Sequence, residues 1–259
     1  MIPDVTTILC DADGNLFPSE EPAFEASAEV TNAFLASIGV DQRVQASQLR
    51  LTTTGKNFRT TAVDLAVSYG VSLALSIAGR HPGARVADDP GLTAEALERW
   101  VEQERLQVTA HLGRTLVPDP GVRDPLTRLG ERYALAAVSS SATPRLAACF
   151  AATGLDAVIP AARWYSAEDS LPVPTGKPDP AIYLHACREL AIAPERALAV
   201  EDSLPGAQSA IRAGIATIGN LQFVAATERD QREKQLRDAG VVGVITSWSQ
   251  VEQLLQAVR

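Results

Sequence analysis

Five short stretches of the chain are apolar almost throughout, and turn-forming residues lie at their ends. Strands that are covered on both faces of a sheet have this continuous pattern, whereas half-exposed strands alternate between apolar and polar side chains. The pattern therefore predicts five buried strands. They are Val5–Cys10, Tyr133–Val138, Ala197–Val200, Ile215–Ile218 and Val241–Ile245.

Between and after most of these stretches, apolar side chains recur with the spacing of amphipathic helices. Gly214 and Gly240 come just after two of the predicted helices, where a left-handed residue commonly ends a helix. Strands that alternate with helices predict a parallel sheet, and hence an α/β protein with a Rossmann-like core. The predicted helices are Thr143–Thr153, Pro180–Leu190, Leu204–Ala213, Thr227–Ala239 and Ser249–Val258.

One long segment departs from this alternation, because residues 18–115 have helical spacing and no convincing buried strand. We expect a smaller α-helical domain there, inserted into a core formed by residues 1–17 and 116–259. Hinges are expected near Leu16–Ser19 and Arg114–Pro120, the second of which begins a segment rich in proline and glycine. The predicted helices of the insertion are Ala23–Ile38, Phe58–Leu75 and Leu92–Leu112.

Composition and charge exclude several classes of protein. Of the 259 residues, 46% are hydrophobic and 21% are charged, as in ordinary globular proteins. The net charge of −8 gives no basic surface for nucleic acid. No apolar run approaches the roughly 18–20 residues of a membrane span, and the first residues lack a signal-peptide pattern. Three widely spaced cysteines, Cys10, Cys149 and Cys187, indicate reduced thiols in the core.

These properties predict a cytoplasmic enzyme that is a monomer or a homodimer and has no nucleic-acid or membrane partner. The three tryptophans are scattered along the chain, and we expect their rings to pack in cores or seams. They are Trp100, Trp164 and Trp248.

The first candidate for chemistry is a pair of carboxylates, Asp11 and Asp13, directly after the first predicted strand. Carboxylates two positions apart on an extended segment point to the same side, and Gly14 lets the chain turn away. Taken alone, the pattern favours an ordinary exit from a strand into a turn, since Asp and Gly are common turn residues.

Hydroxyl groups and a lysine follow later strands. Ser139, Ser140 and Ser141 come after the second predicted strand, where a helix begins. Ser141 is a candidate N-cap, which leaves two hydroxyls and several backbone N–H groups at a site suited to an anion. Lys177 lies in a TGKPDP loop and is one of three lysines in the chain. Its compact ammonium is suited to a phosphate or a carboxylate; the alternative is a solvated loop charge.

Glu201 and Asp202 are adjacent acids after a third buried strand, and such oxygen donors suit a hard cation. All strands of an open parallel sheet end at the same edge, so these acids should converge with Asp11, Asp13 and Lys177. Four acids together repel one another strongly unless a divalent cation lies among them. A Mg²⁺ ion is therefore expected.

The four segments DADG, VSSS, TGKPDP and VEDSLPGAQSAIRAG resemble the motifs of the haloacid dehalogenase (HAD) superfamily. The last two resemble most the branch that contains β-phosphoglucomutase and the phosphoglycolate and sugar-phosphate phosphatases. That branch carries a helical cap between its first two motifs, where the insertion falls here. The resemblance covers the core well, and the cap only in its position and helical character. It implies a HAD-like hydrolase core whose cap selects the substrate.

Carried over position by position, the resemblance implies that Asp11 is the nucleophile and forms an aspartyl-phosphate. Asp13 would protonate the leaving oxygen and then activate water. Mg²⁺ would be held by the Asp11 carboxylate, the Asp13 backbone carbonyl and Asp202, with Glu201 nearby or acting through water. The phosphoryl group would be bound by Ser139, Ser140 and Lys177.

Two departures from the family pattern refine this expectation. Asn15 stands where the first motif usually has Thr, and its side chain can still form hydrogen bonds. Ala23 stands in the region where β-phosphoglucomutase has a histidine, which favours hydrolysis of a small phosphomonoester, such as a sugar phosphate, over mutase chemistry. The alternatives are a phosphosugar mutase and a non-catalytic metabolite-binding protein on the same scaffold.

Two positively charged side chains of the insertion, Lys56 and Arg59, are candidates for contact with the substrate. The alternative is a solvated helix start with Asn57 as its N-cap. Ser19 and Glu20 follow the first hinge, and they either face the substrate or cap a helix.

Overall fold

The computed structural model describes residues 4–53, 57–79, 81 and 83–257. The chain forms two compact units. We call the first the core unit, which consists of Met1–Ser19 and Thr115–Arg259, and the second the helical unit, which consists of Glu20–Arg114. The role of the helical unit as a cap stays a prediction.

The strands of the described residues form one six-stranded sheet and one pair. The large sheet is parallel throughout, with the order β5-β4-β1-β6-β7-β8, and it belongs to the core unit. Strands β2 and β3 pair in parallel within the helical unit. The bounds are β1 Thr7–Cys10, β2 Ser72–Leu73, β3 Arg85–Val86, β4 Ala134–Ser139, β5 Trp164–Ser166, β6 Ala197–Glu201, β7 Ala216–Asn220 and β8 Gly243–Ile245.

Helices connect the strands, and short 3₁₀ turns lie at Leu155–Ala157, Ala161–Arg163 and Pro194–Arg196. The helical unit contains α1 to α4 and nearly all of α5. The bounds are α1 Glu20–Ser37, α2 Ala46–Thr53, α3 Phe58–Ser68, α4 Leu75–Ala78, α5 Ala94–Thr115, α6 Pro120–Gly130, α7 Thr143–Thr153, α8 Ala181–Glu189, α9 Leu204–Arg212, α10 Arg229–Ala239 and α11 Ser249–Ala257.

The register of the central strand places the first acidic segment between two neighbours. Cys10, the last residue of β1, lies opposite Ala137 of β4 and Val200 of β6. The chain runs from β1 to β4 and β5 on one side, and to β6, β7 and β8 on the other. The strand order therefore reverses at β1, and ligands of open α/β sheets bind in the crevice at such a switch point.

The parallel α/β core confirms the prediction from the hydrophobic pattern, and all five predicted strands are present with shifted ends. Gly214 and Gly240 have φ angles of 82° and 98°, as expected for left-handed residues after helices. Two core elements escaped prediction. β5 has only three residues, too few to show a recognisable pattern of apolar and polar side chains. In α6, Pro120 was interpreted as part of a linker, but proline is favoured in the first turn of a helix.

The helical unit differs more from its prediction. The expected helix Phe58–Leu75 is wrong beyond Ser68, because Gly70 takes a φ of 73° and the chain leaves the helix. Residues 72–73 and 85–86 then form the β2–β3 pair, although no strand was expected in this segment. Helix α2 was also missed.

Aromatic rings pack together in the interior of the core unit. Phe150 of α7 stacks on Trp164 with ring centroids 4.4 Å apart, and it meets the edge of Phe17 at 5.7 Å. Such pairs contribute about 0.5–1.5 kcal/mol beyond their buried area. The three cysteines are free and buried, as expected, and burial raises the pKa of Cys149 to about 12. No helix in the described part of the chain is long and apolar enough to cross a bilayer.

Candidate active site

The ammonium of Lys177 joins three elements at the carboxyl edge of the sheet. Its Nζ donates to Oδ1 of Asp11, to the carbonyl oxygen of Val138 at 2.9 Å and to Oε1 of Glu201 at 2.6 Å. Only 6% of the lysine side chain is exposed. Burial opposes its charge, but Asp11 and Glu201 outweigh this effect and raise the pKa of Lys177 above its usual value. The buried lysine is therefore a fixed cation, which excludes the solvated loop charge.

Glu201, the last residue of β6, is completely buried. Its Oε1 accepts hydrogen bonds from Lys177 and from the hydroxyl of Tyr183 in α8. Its Oε2 has no hydrogen-bond partner among the described residues. A buried carboxylate oxygen without a partner is costly, so Oε2 retains an unused capacity to bind a cation or a hydrogen-bond donor.

Three carboxylates come together at this point. Asp11, Glu201 and Asp202 each offer an oxygen atom, and these atoms all lie within 4.8 Å of one another. Burial is the main cause that raises the pKa of each carboxyl group, and that of Glu201 rises to about 8. The charge of Asp13 adds to the effect on the pKa of Asp11, and the charge of Asp11 adds to the effects on those of Glu201 and Asp202. Hard oxygen donors at this spacing, together with the orphaned Oε2, fit a divalent cation such as Mg²⁺ or Ca²⁺. The donor set therefore fits the metal that the sequence predicts.

Two glycines make room for these carboxylates. An ideal Cβ on Gly14 would lie 2.4 Å from Oδ2 of Asp202, and one on Gly206 would lie 1.8 Å from Oε2 of Glu201. Gly14 also has a φ of 76°, a conformation that favours glycine. The group of three carboxylates thus depends on glycine at both positions, because a side chain there would collide with the carboxylate of Asp202 or Glu201.

Asp13 lies in a separate hydrogen-bonded group beside the cluster. It accepts from the hydroxyls of Ser19 at 2.5 Å and Ser141 at 2.7 Å, and from Nη2 of Arg145 at 3.1 Å. Burial alone would raise the pKa of Asp13, but Arg145 and the two hydroxyls lower it below its usual value. The carboxyl group is therefore ionised at neutral pH in this structure.

These contacts correct one expectation for Ser141. The residue before α7 is Ala142, whose side chain makes no capping hydrogen bond, and Ser141 instead donates to Asp13. Arg145, on the first turn of α7, was missed because arginine in a helix is usually a surface charge. Ser139 is buried and its Oγ accepts from the N–H of Ser141 at 3.0 Å, whereas Ser140 is exposed. Their role in phosphate binding stays a prediction.

The candidates of the helical unit have different outcomes. Arg59 forms two hydrogen bonds with the carboxylate of Glu98 on α5, so its guanidinium already has an anionic partner. Asn57 caps α3 by accepting from the N–H of Thr60 at 2.9 Å, which confirms it as an N-cap. Lys56 lies outside the described residues.

A further contact to the cluster comes from α10. Nη1 of Arg232 donates to the backbone carbonyl of Asp202 at 2.8 Å. The sequence gives no signal for this contact, because α10 carries charged residues on most of its positions.

Comparison with known proteins identifies the family to which the chain belongs. The model of the haloacid dehalogenase-like hydrolases matches residues 5–214, which include all four motif segments. The chain belongs to this family. No curated protein with detectable similarity to it was found.

Solved structures of HAD-like proteins share the fold over nearly the whole chain. One is described as a predicted phosphoglycolate phosphatase from Haemophilus somnus, with 18% identity, coverage of 98% and 100% of the two chains, and a TM-score of 0.70. A HAD-like protein of Agrobacterium tumefaciens has 23% identity, coverage of 98% and 99% of the two chains, and a TM-score of 0.66. A variant of CbbY from Rhodobacter sphaeroides, in complex with xylulose-1,5-bisphosphate, has 23% identity, coverage of 95% of both chains, and a TM-score of 0.62.

Proposed function

We propose that this HAD-like hydrolase is a Mg²⁺-dependent phosphatase that hydrolyses a small phosphomonoester through an aspartyl-phosphate on Asp11. One observation carries the proposal: a buried ammonium lies between Asp11 and Glu201, and Asp202 completes a group of three carboxylates. Nucleophile, cation and metal ligands of phosphoryl transfer are thereby in one place.

In the first step, an oxygen of Asp11 attacks phosphorus and the bond from phosphorus to the ester oxygen breaks. The leaving oxygen takes a proton from Asp13 and departs as an alcohol. In the second step, water attacks phosphorus and gives a proton to Asp13 while the bond to Asp11 breaks. Inorganic phosphate is released, and both carboxyl groups return to their starting forms.

Lys177 and Ser139 serve the phosphoryl group. The lysine ammonium lies against Asp11 and the carbonyl of Val138, so it would neutralise an anion bound at the nucleophile. Ser139 ends the neighbouring strand β4 and is buried at the same edge of the sheet. The exposed Ser140 is the weaker of the two serine candidates.

Asp11, Asp202 and Glu201 would hold Mg²⁺, together with the backbone carbonyl of Asp13. The bound ion supplies Lewis-acid stabilisation of the negative charge on the phosphoryl oxygens. Lys177 and the cation together would offset the repulsion between a phosphate dianion and three carboxylates.

The state of Asp13 sets a condition on the first step. Its pKa is lowered by Arg145, Ser19 and Ser141, so the free site holds an ionised carboxylate that is suited to accept a proton from water. The first step needs the protonated acid. A phosphoryl group bound nearby repels the ionised form and raises the pKa of Asp13, so we infer that protonation accompanies substrate binding.

Two features support a proposal for the substrate class: the resemblance to one branch of the family and the presence of the helical unit. We infer a small sugar phosphate or a similar polar metabolite, and the sugar bisphosphate bound to the CbbY variant supports this class. The helical unit would act as a cap that excludes bulk water from the reaction.

The test is phosphate release from a panel of small phosphomonoesters, with Mg²⁺ and with EDTA. Wild-type protein should release phosphate only with the metal, and Asp11→Asn should abolish the release. Asp238→Asn is the control, because Asp238 is an exposed residue that pairs with Lys234 on α10. Metal-dependent release by Asp11→Asn at the wild-type rate would refute Asp11 as nucleophile.

Product analysis separates the mutase alternative. On a hexose 1-phosphate, a phosphatase releases inorganic phosphate and free sugar, whereas a mutase yields the 6-phosphate without free phosphate. No turnover of any ester, with Mg²⁺ binding intact, would favour a non-catalytic binding protein.

A further inference from the structure

A closed ring of hydrogen bonds includes Asn15, which follows the acidic residues Asp11 and Asp13. The side-chain Nδ2 of Asn220 donates to Oδ1 of Asn15 at 2.8 Å, and Oδ1 of Asn220 accepts from the N–H of Gln222 at 3.0 Å. Oε1 of Gln222 accepts from the N–H of Trp248 at 3.0 Å. The indole Nε1 of Trp248 donates to the carbonyl oxygen of Asn15 at 3.0 Å and closes the ring.

Asn15 connects this ring to the nucleophile. Its Nδ2 donates to the carbonyl oxygen of Asp11 at 2.8 Å and to that of Val200 at 3.1 Å. The N–H of Asp11 also donates to the carbonyl of Val200, at 3.0 Å. Both backbone polar groups of Asp11 are therefore held, one of them directly by the Asn15 amide.

The chemistry of the amide explains why asparagine stands at position 15, where the family usually has threonine. Asn15 uses two N–H donors and one acceptor, whereas a threonine hydroxyl has a single hydrogen to donate. Asn15, Asn220 and Trp248 are all fully buried, so water cannot replace a missing partner. Asn220 and Trp248 thus form hydrogen bonds with Asn15, the residue that stands in place of the usual threonine.

We propose that Asn220, Gln222 and Trp248 are positioning residues for the Asp11 nucleophile and act on it through Asn15. The family model ends at residue 214, so all three lie beyond the part of the chain that it matches. The proposal rests on the proposed function, because it assigns these residues a role in the reaction of Asp11.

The physical reason is the geometry of displacement at phosphorus. The attacking oxygen must lie in line with the leaving oxygen at near-contact distance, and a displacement of about 1 Å costs about 10²-fold in rate. The ring fixes the backbone at Asp11 and Asn15. It offers no group to the substrate, so its loss should lower kcat and leave KM nearly unchanged.

The test compares two tryptophan variants. Trp248→Phe keeps the aromatic packing and removes the N–H that donates to Asn15. Trp164→Phe is the matched control, since Nε1 of Trp164 also donates to a backbone carbonyl, that of Ile159 at 2.8 Å. We expect Trp248→Phe to lose about tenfold or more in kcat at constant KM. Trp164→Phe should lose a comparable amount of thermal stability with little change in kcat. Equal kcat values for the two variants would overturn the proposal.

A second pair covers the case in which Trp248→Phe does not fold. Gln222→Leu removes the acceptor for the N–H of Trp248, and Gln222 is only partly buried. Gln250→Leu is its control, because Oε1 of Gln250 accepts from the N–H of Thr246 at 2.7 Å at the start of α11. We expect kcat to fall in the first variant alone, and a fall of the same size in both would overturn the proposal.

Hydrogen exchange separates failure of this inference from failure of the proposed function. In the full-length protein, the amides of residues 11–16 should exchange faster in Trp248→Phe and Gln222→Leu than in their controls, whether or not any phosphoester is hydrolysed. Unchanged exchange would overturn the inference even in an active phosphatase. Faster exchange in a protein without phosphatase activity would refute the proposed function and leave the ring as a support of the Asp11 loop.

Discussion

The absence of a Cβ atom at two glycines, Gly14 and Gly206, allows the group of three carboxylates to form. The carboxylate of Glu201 fills the space where a Cβ on Gly206 would stand, and Asp202 does the same at Gly14. Gly206 has no positive φ angle, so steric collision alone excludes a side chain there. The position therefore offers a clean test of the cluster.

We expect Gly206→Ala to lower the affinity for Mg²⁺ and to destabilise the fold by about 1–3 kcal/mol, the usual cost of overpacking a filled site. The added methyl group must displace the carboxylate of Glu201, which offers one of the candidate metal-ligand oxygens. Calorimetric Mg²⁺ titration and thermal unfolding measure the two effects. Gly79→Ala in the helical unit is the control, because an added Cβ there meets only ordinary contacts. Wild-type affinity in Gly206→Ala would show that Glu201 does not contribute to the metal site.

The metal-free protein should lose stability as the pH rises. Burial and the charge of Asp11 raise the pKa of Glu201 to about 8, compared with 4.5 for the free side chain. The folded protein holds this proton more tightly than the unfolded chain does. The contribution of Glu201 to the free energy of unfolding should therefore fall between about pH 4.5 and 8, and the raised pKa values of Asp11 and Asp202 act in the same direction.

Thermal unfolding in EDTA across this range measures the effect. Glu201→Gln removes one of three carboxyl groups with raised pKa values and should reduce the pH dependence, while Asp11 and Asp202 retain their contributions. A melting temperature of the wild-type protein that rises with pH across the same window would contradict the assignment.

How far the sequence reveals the site depends on which element carries each residue. Asp11, Glu201 and Lys177 were predicted to converge because they follow strands or lie in a loop at the same sheet edge. Arg145 contacts Asp13 and Tyr183 contacts Glu201, both from helices, where arginine and tyrosine are common for other reasons. No short-range pattern distinguishes them, so only the structure reveals their contacts.

At the scale of elements, the helices of the core unit were easier to predict than its shortest strands. Helix α7 has its predicted bounds, because eleven residues are enough to establish a period. Strand β5, with three residues, is set by its pairing with β4 and not by its own sequence. Helix α6 was missed because its proline and glycine were interpreted as a linker.

The start of α6 gives an element-scale prediction. Oδ1 of Asp119 accepts from the N–H of Gly121 at 2.7 Å and satisfies the first turn of the helix. Asp119→Ala should reduce the free energy of unfolding by about 1 kcal/mol, as for other N-caps, and Asp119→Ser should restore most of it. Urea denaturation measures both values. Equal stability of the alanine and serine variants would show that the cap contributes nothing.

At the scale of the whole molecule, the segment after residue 214 supplies two of the three strands on one side of β1. Strand β7 pairs with β6 over four residues, and β8 pairs with β7. Leu236 of α10 packs against Gly219, where an added Cβ would lie 2.9 Å from its side chain. The family match ends before these elements, yet the core unit includes them.

A chain that ends after Gly214 should therefore fail to fold, although it contains the entire matched segment. Removing β7 and β8 exposes the buried edge and one face of β6, and such edges lead to aggregation. Circular dichroism and size-exclusion chromatography of the truncated and full-length chains measure the outcome. A soluble, folded fragment that binds Mg²⁺ would contradict this view of the core.

The position of β1 in the middle of the sheet has a consequence for how the protein is made. This strand is synthesised before both of its partners, which begin at Ala134 and Ala197. At synthesis rates of about 5–20 residues per second, the nascent strand waits roughly 6–25 seconds for its first neighbour. The helical unit is translated completely within that interval. Throughout this interval the nascent chain carries an apolar strand without its partners, and we expect a chaperone to bind this segment.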